Sequence, residues 1–210
     1  MTRIIAGFAG SISIAVPGFG TRPTSDRVRE AIFSALEARN AIAGMRVLDL
    51  YSGSGALGLE SASRGAAHVT LVDRVIQTSK KNAALVLRQA PKGSRPEIEC
   101  TGQPVQAFLT SARAFWDLVF LDPPYEMGLA ELTHNLEALV PRLSPDAVVV
   151  LERSSRTPAP EWPEGLKLER RKDYGDTALY WLGVLTGGTG QADEASQVGR
   201  VGDAGSTGDN

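Results

Sequence analysis

Apolar stretches of two kinds alternate along the middle of the chain. Short runs of consecutive apolar residues are typical of buried parallel strands, whereas apolar residues three or four positions apart are typical of helices. We therefore predict strands at Arg46–Leu50, His68–Asp73, Glu97–Cys100, Trp116–Asp122 and Ala147–Leu151, helices at Ala56–Arg64 and Gln77–Leu87, and a further helix with the apolar face Leu129, Leu132, Leu136, Leu139, Val140 and Leu143. This alternation indicates an α/β fold, with a mostly parallel sheet and helices on both faces.

The two ends of the chain depart from this alternation. β-Branched residues between glycines predict a small β-hairpin at residues 4–16, and Thr24 or Ser25 can cap the helix that follows. That helix has the apolar face Val28, Ala31, Ile32, Ala35 and Leu36. An antiparallel pair, Leu166–Lys172 with Ala178–Val184, is expected to close the domain. We divide the chain into a hairpin arm at 1–20, a core domain at 21–185 and a disordered glycine-rich tail at 186–210.

Composition and charge exclude some classes of protein and leave others open. The 210-residue chain has a net charge of -2, but the tail carries four acidic residues against Arg200, so the body has a net charge of +1. This balance is compatible with a nucleic-acid substrate without requiring one. A single cysteine, Cys100, excludes an intrachain disulfide and a cysteine metal cluster, and fits a cytoplasmic location. No apolar run is long enough to span a membrane.

The junction between the first core strand and its helix carries a glycine-rich turn. Gly53, Gly55 and Gly58 spell G-x-G-x-x-G, and Asp49 stands four residues before the first of them. Glycine lets a ligand approach the backbone, and the helix that follows favours an anion at its N-terminus. A nicotinamide-binding turn usually starts its glycines where the strand stops. The form D-x-x-x-G-x-G instead resembles methyltransferases that use S-adenosylmethionine (SAM), in which the turn wraps the amino-acid end of the cofactor.

Two further acidic residues follow predicted strands. Asp73 ends the second core strand, where Rossmann-like sites keep the carboxylate that binds the ribose hydroxyls. Asp122 leads into Pro123, Pro124 and Tyr125. The prolines fix the backbone and offer carbonyl acceptors, which would hold a planar amine together with Asp122. The Tyr125 ring can stack on a base.

Three arginines lie near the predicted start of the first helix. Arg22, Arg27 and Arg29 oppose the helix dipole there, which favours a task such as holding phosphate or a substrate-side loop.

Taken together, these motifs resemble the RsmD family, bacterial methyltransferases that act on the exocyclic N2 of a guanine in 16S ribosomal RNA. The resemblance runs from residue 3 to about residue 182 and rests on residues 3–7, Thr21–Thr24 with Arg27, Arg29 and Glu30, Asp49–Gly58, Val72-Asp73, Asp122–Tyr125 and Tyr174–Thr177. It implies a class I methyltransferase fold with a Rossmann-like seven-stranded sheet, and SAM as methyl donor. It also implies ribosomal RNA or a small-subunit particle as partner, with no metal and no membrane, and a monomeric protein.

The motifs assign roles to individual residues. The residues expected at the methyl acceptor are Asp122, Pro123, Pro124 and Tyr125. Those expected at the cofactor are Asp49, Tyr51, Ser52, Gly53, Gly55, Asp73, Arg74 and Gln103. Those expected at the RNA are Arg22, Thr24, Arg27, Arg29 and Tyr174.

The chain departs from the family pattern in two places. Residues 9–13 read Ala-Gly-Ser-Ile-Ser where the family's hairpin usually carries arginines, and phosphate contacts supply much of nucleic-acid affinity. Gln103-Pro104-Val105 lacks the acid or amide often expected beside the adenine, so that Gln103 or a backbone group would serve there.

Three alternatives remain open from the residues. The first is a DNA methyltransferase acting on adenine N6 or cytosine N4, which uses the same kind of loop but usually carries a separate target-recognition region. The second is a nicotinamide oxidoreductase, which leaves the Asp122–Tyr125 loop unexplained. The third is a non-catalytic RNA-binding factor. A cytosine-C5 enzyme is excluded because its cysteine nucleophile normally follows proline, whereas Cys100 follows Glu99.

Overall fold

The computed structural model of the protein describes residues 1–18, 25–124 and 126–185. Its strands are β1 Thr2–Arg3, β2 Ser13–Ile14, β3 Arg46–Leu50, β4 His68–Asp73, β5 Glu97–Gly102, β6 Trp116–Leu121, β7 Leu143–Ser154, β8 Leu166–Tyr174 and β9 Thr177–Val184. Its α-helices are α1 Asp26–Glu37, α2 Ala56–Ser63, α3 Gln77–Leu87, α4 Val105–Ser111 and α5 Leu129–Leu139, with a 3-10 turn at Val140–Arg142. The predicted tail, Arg22, Thr24 and Tyr125 lie outside the described residues.

Seven of these strands form one sheet in the order β5-β4-β3-β6-β7-β9-β8. β3 pairs in parallel with both β4 and β6, and β9 pairs antiparallel with β7 and β8. The chain therefore leaves β3 towards one edge of the sheet and later returns to its other side as β6. This reversal is the topological switch point, at which ligands of open α/β sheets bind.

The core lies on both faces of the sheet because successive side chains of each strand point to opposite sides. Val47 belongs to a core cluster with residues of α1, α2 and α3, whereas its neighbour Leu48 belongs to a second cluster with residues of α4 and α5. Most residues of β3, β4 and β6 are buried, which explains the unbroken apolar runs in the sequence.

The N-terminal arm, residues 1–18, packs on the domain. Its antiparallel pairing is confined to Thr2 with Ile14 and Arg3 with Ser13, so most of the predicted hairpin at residues 4–16 lies outside the two strands. Ile4 and Ile14 are completely buried in the core cluster beneath α1 and α2. The buried Glu60 carboxylate accepts hydrogen bonds from the backbone N–H groups of Ile5, at 2.6 Å, and Ala6, at 3.0 Å. The arm is thus part of the same folded body.

The observed elements differ from the predicted ones in several places. The predicted helix through Leu143 ends at Leu139, because Pro141 cannot continue it, and Leu143 begins β7. Helix α4 was not predicted, since its seven residues are too few to show a clear period. β6 ends at Leu121, so Asp122 belongs to the loop that follows.

Candidate active site

One cavity opens at the carboxyl ends of β3, β4 and β6, and we call it the strand-end cavity. Its volume is about 570 Å³. Its wall combines the arm, the turn after β3, the ends of β4 and β5 and the loop after β6: Thr2, Val16, Pro17, Arg29, Asp49, Tyr51, Ser52, Gly53, Ser54, Ala56, Leu57, Asp73, Arg74, Pro104, Val105, Gln106, Asp122, Pro123, Pro124, Glu126, Met127 and Glu131. Six of the eight residues expected at the cofactor line it together with three of the four expected at the methyl acceptor.

The turn after β3, residues 51–58, is tight and needs glycine for two different reasons. Gly53 and Gly55 have φ of 52° and 78°, a backbone region that favours glycine. An added Cβ at Gly53 would meet nothing closer than the Tyr51 carbonyl at 4.0 Å, so this part of the turn is open. An added Cβ at Gly58 would collide with Leu71 on β4. Gly53 thus leaves room beside the backbone, and Gly58 lets α2 pack closely on the sheet.

Asp49 fixes this turn from inside the protein. It is buried, and its Oδ2 accepts a hydrogen bond of 2.9 Å from the backbone N–H of Gly58. Burial raises the pKa of Asp49 to about 7, with the Gly58 hydrogen bond opposing the shift and the charge of Asp73 adding to it.

Asp73 fixes the same turn from the neighbouring strand. Its Oδ2 accepts from the Gly53 N–H at 2.9 Å, and its Oδ1 accepts from the Val75 N–H at 3.1 Å. A carboxylate oxygen has room for a second donor, so these bonds leave Asp73 able to accept from a ligand as well. Its predicted contact with ribose hydroxyls stays a prediction.

The loop after β6, residues 122–128, is the proline loop. Asp122 is half-buried and Pro123 is buried at the cavity wall. The Pro124 carbonyl accepts from the Met127 N–H at 3.0 Å, which leaves one of its two lone pairs for a further donor. This bond links Pro124 to Met127 within the loop. The Met127 carbonyl in turn accepts from the buried Arg153 at 3.1 Å, which ties the loop to β7.

A polar cluster that the sequence analysis missed connects the proline loop to the turn after β3. The Tyr51 hydroxyl accepts a hydrogen bond of 2.8 Å from Asn135 and contacts the Met127 sulfur at 3.8 Å. Burial raises the pKa of Tyr51, and the charge of Glu131 adds to this effect. Asn135 is a buried polar residue within the apolar face of α5, and this interruption of the pattern was the available signal.

The segment after β5, which was expected to lie beside the adenine, contributes to the cavity wall, but Gln103 itself does not line it. The Gln103 N–H donates to the Asp73 carbonyl at 3.0 Å, but the cavity wall is formed by Pro104, Val105 and Gln106. The Gln106 Oε1 is buried without a hydrogen-bond partner among the described residues. Arg74 is exposed at the cavity wall.

The residues expected at the RNA separate in space. Arg27 is exposed on α1. Arg29 is buried: only 1% of its surface is accessible, because the side chain points inwards towards the arm. Tyr174 is half-buried at the end of β8, with the Lys172 Nζ 4.9 Å from its ring centroid, and does not line the cavity.

The described residues contain neither a candidate metal-binding group nor a candidate membrane-spanning helix. No group of three or more His, Cys, Asp or Glu side chains in this part of the chain is placed to hold a metal ion. Likewise, none of its helices has the length and apolar character needed to cross a membrane.

Solved structures resemble this fold. A putative methyltransferase from Escherichia coli superposes with a TM-score of 0.71 at 31% identity, covering 87% of this chain and 97% of the other. Magnesium protoporphyrin IX methyltransferase from Synechocystis, solved with bound SAM, has a TM-score of 0.59 at 15% identity and covers 80% of this chain and 88% of its own. At that identity the second likeness concerns the fold alone. The predicted class I methyltransferase fold is confirmed.

Sequence relatives cover most of the chain. It is 36% identical over 180 residues to ribosomal RNA small subunit methyltransferase D of Escherichia coli K12, covering 84% of this chain and 86% of the relative. It is 35% identical over 182 residues to a putative rRNA methyltransferase of Bacillus subtilis, covering 84% and 96%. Residues 2–183 match the family described as "Conserved hypothetical protein 95". The chain therefore belongs to this family, the RsmD family of methyltransferases.

Proposed function

We propose that the protein transfers a methyl group from SAM to the exocyclic N2 amine of a guanine in 16S ribosomal RNA. The observation that carries the proposal is that the glycine turn and the proline loop line one cavity. A methyl donor held by the turn and an amine held at Asp122 would share that space. The sequence relatives named as rRNA methyltransferases support RNA as the substrate.

The residues of the strand-end cavity fit SAM. The turn is open at Gly53, and the Ser52 Oγ and Gln106 Oε1 are buried without hydrogen-bond partners among the described residues. The cavity wall also carries five carboxylates, which suit a cofactor with a positively charged sulfonium: Asp49, Asp73, Asp122, Glu126 and Glu131. In this proposal Asp73 and the turn hold the cofactor. Bound SAM supplies an already activated methyl group.

The protein's own task is then to align the acceptor amine and keep water out. Asp122 accepts a hydrogen bond from the amine. This bond helps to localise on the nitrogen a lone pair that is otherwise delocalised into the ring. Pro123 and Pro124 hold Asp122 in place, and the Met127 and Arg153 contacts brace the loop. Tyr125 stacks on the base, an interaction that contributes about 1–3 kcal/mol. The target base must be unpaired or flipped out to reach this position.

The RNA or small-subunit particle is expected to bind across the same edge of the sheet. Arg27 is the exposed candidate for a phosphate contact among the described residues assigned to RNA. Arg22, Thr24 and Tyr174 stay predicted contacts. An rRNA substrate places the enzyme in the cytoplasm, and we propose that it acts as a monomer without a metal.

The proposal is tested by offering the protein labelled SAM with three acceptors in parallel: protein-free 16S rRNA, assembled small subunits and duplex DNA. Digestion of the product then identifies the modified nucleoside. We expect N2-methylguanosine from one or both RNA samples. Methylated adenine or cytosine from DNA alone would replace this proposal with the DNA amino-methyltransferase. Binding of NADH in place of SAM would replace it with the oxidoreductase.

A further inference from the structure

Arg29 lies at the wall of the strand-end cavity with an incomplete set of hydrogen bonds. Its three hydrogen bonds to described residues all use Nη2, which donates to Thr2 Oγ1 at 2.9 Å, the Arg3 carbonyl at 2.9 Å and Asp26 Oδ1 at 2.6 Å. The Nε and Nη1 atoms are buried and have no partner within the described part of the chain. A guanidinium has five N–H donors, so the three on Nε and Nη1 have no partner among the described residues.

Such an arrangement is costly unless an acceptor completes it. A buried charged group without its hydrogen-bond partners loses the hydration that it has in the unfolded chain. If Arg29 served only to attach the arm to α1, the bonds from Nη2 would be sufficient. The Nη1 donors instead call for an acceptor that arrives with a ligand, and a carboxylate oxygen forms a charge-assisted hydrogen bond with such a donor.

The position of Arg29 selects one end of the cavity. Asn82 accepts from the Ala15 N–H at 3.0 Å and donates to the carbonyls of Ala15 and Ser54, both at 2.8 Å. It therefore fixes the arm beside the glycine turn, and Val16 and Pro17 form the cavity wall there with Arg29. This is the end at which the turn is expected to receive the amino-acid part of SAM, near the start of α2.

The charge of the cavity supports the same choice. Its wall contains five carboxylates but, among the described residues, only two cationic side chains, Arg29 and Arg74. Arg74 directly follows Asp73 at the end of β4, on the side expected to hold the ribose. An anionic group at the arm side of the turn would otherwise face mainly acidic neighbours. Arg29 is the side chain that can neutralise it, with the helix α2 N-terminus adding in the same direction.

We propose that Arg29 binds the carboxylate of the amino-acid end of SAM through its Nη1 group. This assignment rests on the proposed use of SAM, and it moves Arg29 from the RNA contacts to the cofactor contacts. It also gives the docked arm a role: Thr2 and the Arg3 carbonyl orient the guanidinium by holding Nη2.

The test compares two ligands that differ in the amino-acid end. 5′-Methylthioadenosine keeps the adenosine and sulfur but lacks the carboxylate. By calorimetry, Arg29→Met should weaken SAM binding by on the order of tenfold or more and change 5′-methylthioadenosine binding by less than about twofold. Arg29→Lys keeps the charge and should recover part of the loss. Arg88→Met removes an exposed arginine at the end of α3, outside the cavity wall, and should leave SAM affinity unchanged.

The outcomes separate the possibilities. Equal losses for both ligands in Arg29→Met would mean that the residue only shapes the cavity, and unchanged SAM binding would mean that it has no contact; either result overturns the proposal. Wild-type protein provides a second measurement that does not depend on a variant's folding. It should bind decarboxylated SAM at least about tenfold more weakly than SAM, and equal affinities would also overturn the proposal. Failure of the wild type to bind SAM at all would instead refute the proposed function.

Discussion

At the scale of single residues, three acidic side chains that look alike in sequence occupy different environments. Asp49 and Asp73 both accept hydrogen bonds from the backbone of the glycine turn, whereas Asp122 lies in the proline loop across the cavity. Their common position after strands predicted that they would meet at one edge of the sheet. The turn conformation decides which of these carboxylates accept hydrogen bonds from backbone N–H groups. That conformation cannot be predicted from the sequence pattern.

The raised pKa of Asp49 leads to a prediction about pH. A carboxyl whose pKa is higher in the folded state than its ordinary value of 3.8 disfavours folding progressively as the pH rises towards about 7. Asp49→Asn keeps an oxygen for the Gly58 N–H but cannot ionise. We therefore expect the free energy of unfolding of this variant, relative to wild type, to increase between about pH 5 and about pH 8. Urea denaturation at both pH values measures this, and a pH-independent difference would contradict it.

Asp73→Ala should act on the cofactor as well as on the turn. The substitution removes the acceptor of the Gly53 N–H and the proposed acceptor of the ribose hydroxyls. Loss of such charge-assisted bonds costs on the order of 1.5–3 kcal/mol, so SAM affinity should fall about tenfold or more in calorimetry. Unchanged affinity in the folded variant would remove Asp73 from the cofactor site.

The burial of Arg29 on α1 was not predicted, although the sequence contains a signal for it. Arg29, Ile32, Phe33 and Leu36 follow the spacing of one helix face, and all four are buried. The apolar face drawn through Val28 and Ala31 lies next to it and left Arg29 outside. A charged residue at helical spacing from three apolar ones was thus the signal for burial. What it would bond to could not be predicted, because Thr2 and Arg3 approach from a distant part of the sequence.

At the scale of elements, two strands and one helix near the site were predicted most accurately. β3, β4 and α3 have the expected bounds, since continuous apolar runs or clear helical spacing end at turn residues. β7 was predicted too short, because Leu143 continues the spacing of α5 and conceals the break at Pro141. The proline was the stronger signal, since it prevents the helix from continuing.

Glu60 on α2 binds the N-terminal arm, and substitution of two glutamates tests how much this attachment contributes to stability. Glu60 and Glu37 both pair with Arg64, at 2.7 Å and 2.6 Å, but Glu60 is completely buried and also binds the arm, whereas 55% of the Glu37 side chain is exposed. Glu60→Ala should lower the free energy of unfolding by about 3–5 kcal/mol, because it leaves buried donors unpaired. Glu37→Ala, the control, should cost about 0–1 kcal/mol. Similar losses in urea denaturation would show that the arm is not held through Glu60.

At the scale of the whole molecule, the residues of the candidate site meet at one edge of the sheet. β3 pairs with β4 on one side and β6 on the other, so the segments that follow the three strands surround one cavity. The sequence predicted this arrangement from the order of strands and helices. It could not predict that the arm contributes Thr2, Val16 and Pro17 to the cavity wall, because that contact is long-range.

The tail beyond residue 185 lies outside the described residues and stays a prediction. Its glycine content and lack of apolar periodicity indicate that it does not contribute to the core. A chain that ends at Thr186 should keep the melting temperature and SAM affinity of the full chain. A clear fall in either quantity, measured by calorimetry on both chains, would show that the tail packs on the domain.

The central claim is that Asp122 orients the acceptor amine in the same cavity that holds SAM. Single-turnover methyl transfer to the RNA substrate at saturating SAM tests it most directly. Asp122→Ala should lower the transfer rate by on the order of 10²-fold or more, with SAM affinity nearly unchanged, because Asp122 faces the acceptor rather than the donor. Asp146→Ala removes an exposed carboxylate near the start of β7 and should transfer at the wild-type rate. A near-normal rate for Asp122→Ala would contradict the account.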